Sequence, residues 1–76
     1  MNHYPYSKYS FATYAWFVKY QEAHGYPPAI YEVAEGLGVA RKTAIRALRY
    51  LCTQGKLVHL PNTPRAYRLR EANAVE

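Results

Sequence analysis

The sequence predicts a mainly helical α+β domain in which three helices are followed by a two-stranded hairpin. Three observations predict it. Apolar residues recur at helical spacing in three consecutive segments, each closed by a glycine, at 25, 38 and 55. Two short runs, "KLVHL" and "AYRLR", then flank "PNTPR", whose prolines and asparagine are turn formers. Finally, 76 residues of which 50% are apolar suffice for one small core but not for two.

The elements follow in order. Residues 1–9 form a tyrosine-rich arm, "MNHYPYSKY", in which Tyr4, Tyr6 and Tyr9 extend the small core by packing over the first helix. A contact with a second copy is the alternative, because tyrosine is favoured at interfaces. "SFATYAWFVKYQEAH" predicts the first helix, Ser10 to His24, with Tyr14, Phe17, Val18 and Gln21 inward and Gly25 as its C-cap. "YPP" interrupts the chain, since each proline disfavours a helical residue before it. "AIYEVAEGLGV" predicts a short second helix with Ile30, Val33, Ala34 and Leu37 on one face. Tyr31, Glu32 and Glu35 point away, and Gly38 makes a tight turn. The third helix runs from Arg41 to Gln54 and ends at Gly55. In the second strand Tyr67 and Leu69 face inward while Arg68 and Arg70 face out. The domain thus occupies residues 10–70, and the tail, 71–76, is expected to fray.

Charge is distributed unevenly along this frame. The net charge is +5, yet residues 1–38 sum to −1 and the tail "EANAVE" to −2. Residues 39–70 hold Arg41, Lys42, Arg46, Arg49, Lys56, Arg65, Arg68 and Arg70 with no acid among them. A cation-only half joined to a near-neutral half implies a surface for a polyanion.

Helical geometry sharpens that implication. At 100° per residue, with Arg41 at zero, Ala44, Ala47, Leu48 and Leu51 fall between about 240° and 340°. Lys42, Arg46, Arg49 and Thr53 fall between about 80° and 140°, on the opposite side. The result is a cationic ridge opposite a narrow apolar face, a shape that suits a DNA major groove. Basic amphipathic helices also lie on membranes, but here the core requires the apolar face, so no membrane partner is expected.

Two segments resemble the winged helix-turn-helix domains of bacterial transcription regulators. "HGYPPAIYEVAEGLGV" is similar to the LexA-type DNA-binding domain, with its Gly-x-Pro-Pro turn and following Glu-(Ile/Val)-Ala and Leu-Gly. "LGVARKTAIRALRYLCTQGKL" is similar to the form found in GntR-like and other winged-helix repressors, matching at Leu37, Gly38, Val39, Arg41, Thr43, Ala47, Leu48, Leu51, Gly55 and Leu57. The resemblance covers residues 10 to 70. It implies a double-stranded DNA-binding repressor or regulator in which residues 40–49 read the groove. It further implies a wing around Asn62 to Arg65 that touches the backbone or the adjacent minor groove. The DNA-binding residues expected from ridge and resemblance together are Arg41, Lys42, Thr43, Arg46, Arg49, Lys56, Arg65 and Arg68.

Departures from the pattern matter too. Ala40 and Ala29 stand where many members carry a serine or threonine, which removes two N-caps. The self-cleaving serine–lysine protease of LexA-type repressors has no counterpart here, so no self-cleavage is expected. Domains that bind left-handed nucleic acid carry an asparagine and a tyrosine on the third helix, where this chain has Ile45 and Arg49.

Other chemistry finds little support. Cys52 is alone, which excludes an internal disulfide, fits a reducing compartment and suits a small buried hydrophobe. His3, His24 and His59 lack metal-ligand spacing, and His24 suits the negative end of the first helix. Glu32 and Glu35, on the outer side of the second helix, have no cleft in which to act as paired acids. No enzyme activity, metal, cofactor or small-molecule ligand is expected. The N-terminus lacks the apolar stretch of a signal peptide, so a cytoplasmic location is expected. A homodimer on paired half-sites is compatible with so small a module. Two alternatives remain open, a winged-helix protein-docking module and a non-specific architectural or replication-accessory DNA binder.

Overall fold

Left-handed glycines mark where the first two helices stop. The computed structural model describes residues 7–70, so Tyr4, Tyr6 and the tail lie outside the described residues. The helices are α1 (Ser10–His24), α2 (Ile30–Leu37) and α3 (Arg41–Thr53), followed by strands β1 (Leu57–His59) and β2 (Tyr67–Leu69). Gly25, at φ 80°, donates its N–H to the Gln21 carbonyl at 2.8 Å and closes α1. Gly38, at φ 70°, and Val39 donate back to Glu35 and Ala34, the paired bonds of a Schellman-type ending. α3 stops one residue before the expected Gln54, which serves as its C-cap. The Thr53 hydroxyl there donates to the Tyr50 carbonyl at 2.7 Å.

Each element contributes to one core. Phe17 comes from α1, Val33 and Ala34 from α2, Ala44, Leu48 and Leu51 from α3, Leu57 from β1 and Tyr67 from β2. α3 is central, packing against α1, α2 and β1. Its buried residues are Ala44, Ala47, Leu48 and Leu51, the face that the 100° spacing selects.

α1 departs from expectation. Its buried residues are Ser10, Thr13 and Phe17, while Tyr14, Val18 and Gln21 are only half-buried. Phe17 carries the apolar contact of this face, and two small polar side chains, Ser10 and Thr13, share its inner side. α1 and α2 are also close. A side-chain carbon at Gly36 would overlap the Trp16 indole ring.

The strands pair antiparallel, with Leu57 opposite Leu69, Val58 opposite Arg68 and His59 opposite Tyr67. Leu57 and Tyr67 are buried and Arg68 is exposed, as alternation requires. Bonds from Arg70 N–H to the Lys56 carbonyl and from Leu60 N–H to the Ala66 carbonyl extend the ladder. Asn62 takes φ 60° in the turn, a conformation that asparagine tolerates. Three helices and an antiparallel hairpin give a mainly helical α+β chain with a winged-helix-like layout. No helix among the described residues is long and apolar enough to cross a membrane.

Candidate nucleic-acid interface

α3 presents its cations on the side away from the core. Arg41, Lys42 and Arg46 are exposed, Arg49 is half-buried, and Thr43 and Ile45 are half-buried at the flanks. Ala40 sits at the N-cap without a side-chain hydrogen bond, and Arg41 and Lys42 follow it in the first turn. Cys52, on the next strip of the helix, packs against the core, and burial pushes its thiol pKa up.

The eight expected residues do not form one surface. Arg41 lines a cleft of about 260 Å³ with Pro64 and Arg65 of the wing, with Ala29 before α2 and with Ile30 and Tyr31 of α2, so the wing lies across that cleft from the start of α3. Lys56 follows the other end of α3, with its Nζ 5.7 Å from the centre of the Tyr14 ring. It borders a hollow with Phe11, Tyr50 and Gln54. Arg68 lies on the outer face of the hairpin and lines a larger hollow with Arg70, Gln21, Tyr26 and Val58. The structure thus places Arg41 across a cleft from the wing, Lys42 and Arg46 on the exposed side of the same helix, and Lys56 and Arg68 elsewhere.

Arg65 is turned inward. Its Nη1 donates to Glu32 Oε1 at 2.7 Å and to the Pro27 carbonyl at 2.9 Å. Its guanidinium carbon lies 4.6 Å from the centre of the Tyr26 ring. Glu32 is correspondingly not an outward-pointing residue, as its helical position suggested. It stands at the third position of α2, from which a carboxylate reaches back, and Oε1 also accepts the Ala29 N–H at 2.8 Å. Ala29 has no hydroxyl of its own, so Glu32 supplies the acidic half of a capping box. The Arg65 hydrogen bond, and after it the Ala29 N–H, hold the Glu32 carboxyl at about 2, well below its usual 4.5. Burial and then Glu32 raise the neighbouring Tyr20 hydroxyl pKa.

Tyr20 continues into a row of aromatic side chains. Its ring lies 5.3 Å from that of Trp16 and stacks on His24 at 4.0 Å. His24 Nδ1 is 3.0 Å from the Tyr20 carbonyl oxygen, so the ring attends a terminal carbonyl of α1. Among the described residues no three His, Cys, Asp or Glu side chains converge as metal ligands would.

The Glu32–Arg65 pair is the feature that sequence reading missed. One signal was available: an acid three residues after a helix start is half a capping box. Its arginine partner, 33 residues away, had none. The chain matches no protein-family model and no curated protein.

Proposed function

We propose that the protein is a small sequence-specific double-stranded DNA-binding regulator of transcription, a repressor of the winged helix-turn-helix type. α3 enters the major groove and the hairpin wing rests on the backbone or the adjacent minor groove. The observation that carries this reading is the exposed ridge of Lys42 and Arg46 on a helix whose opposite face is committed to the core. A major groove about 12 Å wide admits one helix with its side chains, and the groove floor and phosphates offer what arginine and lysine donate to. Arg46, mid-helix, reads a base edge, while Arg41 and Lys42 at the N-terminal turn hold phosphates. The activity is binding without catalysis, metal or cofactor, in the cytoplasm. A second copy on a paired half-site supplies the surface that one module lacks.

Selection of bound fragments from random duplex DNA, followed by affinity measurements across salt, tests the reading. Arg41 and Lys42 on phosphates contribute about −1.8 to the log–log salt slope, at about −0.9 per contact. No enriched motif together with a flat salt response refutes it.

A further inference from the structure

We infer that Glu32 is a positioning residue for DNA binding: it captures Arg65 and thereby fixes the wing beside the first turn of α3, so that removing this acid weakens DNA binding. The inference rests on the DNA-binding reading above and goes beyond it, because it assigns an affinity-raising role to a negative charge.

The strands are held by the core, in which Leu57 and Tyr67 are buried, but the loop that joins them is not. The base of the loop is closed by the Leu60–Ala66 hydrogen bond, and the Thr63 hydroxyl donates to the Pro61 carbonyl at 3.1 Å, within the loop itself. Pro61, Asn62, Thr63 and Pro64 are exposed. Among the described residues, Arg65 ties this loop to the helices through the Tyr26 ring, the Pro27 carbonyl and the Glu32 carboxylate, beside the Tyr20 hydroxyl. Glu32 is itself fixed at the start of α2 by the Ala29 N–H. The clasp therefore ties the wing to the helix that precedes α3, and Pro64 borders the same cleft as Arg41. An arginine so engaged, with its side chain 34% exposed, positions the loop rather than reaching for a phosphate.

Electrostatics alone predicts the opposite effect. Deleting a negative charge near a polyanion's binding face raises affinity. Glu32→Gln separates the two accounts, because it removes the charge and leaves Arg65 only a neutral oxygen, the one that also accepts the Ala29 N–H. If the freed wing holds its binding position a third to a tenth of the time, the apparent affinity falls about threefold to tenfold.

The experiment measures binding of the full chain to a duplex selected as above, for wild type, Glu32→Gln, Arg65→Gln and the double variant. It is run across salt, at a temperature where thermal melting shows all four folded. The expected result is weaker binding by Glu32→Gln, an unchanged salt slope for Arg65→Gln, and a double variant no weaker than Arg65→Gln alone. Tighter binding by Glu32→Gln, a slope shallower by about one for Arg65→Gln, or additive losses in the double variant overturn the inference. Each of those outcomes leaves the DNA-binding reading intact. Absence of salt-dependent binding by the wild type overturns that reading, and this inference with it.

Discussion

Replacing Leu48 by alanine tests the rotation of α3 about its axis, on which the outward ridge depends. Leu48 is 1% exposed and belongs to the core shared with Phe17, Val33, Leu57 and Tyr67. On the helical wheel it lies about 160° from Arg46, so one cannot be buried without the other being presented. Truncation removes three buried carbons, about 2.4 kcal/mol of transfer energy at ~0.8 kcal/mol each. The neighbours on four other elements cannot all collapse into the space, and a residual cavity brings the loss to about 3–4 kcal/mol. A chain of this size has roughly 4–11 kcal/mol in total at ~0.05–0.15 kcal/mol per residue, so the loss is between about a third and nearly all of its stability. At about 4–8 °C per kcal/mol for a domain this small, thermal melting falls by at least about 12 °C. The assay is circular dichroism at 222 nm, with Arg46→Ala as control, whose exposed position predicts a change within about 0.5 kcal/mol. A Leu48→Ala melting temperature within a few degrees of wild type, or a comparable loss in the control, refutes the assigned rotation of α3.

Three further outcomes are expected. Arg46→Ala relaxes discrimination at one base position by about 1–3 kcal/mol in competition against single-base variants of the selected duplex, whereas Arg68→Ala changes affinity little and evenly; a uniform loss for Arg46→Ala means that the ridge holds DNA without reading it. Because the folded chain holds Glu32 at about 2 against a usual 4.5, protonating it favours the unfolded state. The contribution is therefore complete above about pH 4.5 and is lost as pH falls toward 2, so wild type loses stability in urea melts more steeply over that window than Glu32→Gln, and equal slopes refute the clasp's electrostatic part. The Thr13 hydroxyl is buried without a hydrogen-bond partner among the described residues, so the isosteric Thr13→Val stabilises the fold by about 1 kcal/mol, and a lowered melting temperature shows that the hydroxyl is satisfied.

By itself the sequence determined what acts over a few residues. Gly25 and Gly38 end their helices because a left-handed residue is needed there, and the alternation around Tyr67 assigns the two faces of β2. The inner face of α3 was legible because its apolar residues are separated from its cations around the whole wheel. On α1 periodicity found Phe17, which is fully buried, but not Ser10 and Thr13, which go inside with it. Which positions of a helix the neighbouring elements cover is decided by where those elements come to rest, not by the helix's own sequence. Only the tertiary structure decided the fate of Arg65. Sequence proximity to two prolines presented it as a wing-tip cation, but the hairpin folds back until its guanidinium meets Glu32, Pro27 and Tyr26. Such a pair is set by where two distant segments come to rest, and no rule confined to neighbouring residues contains that information.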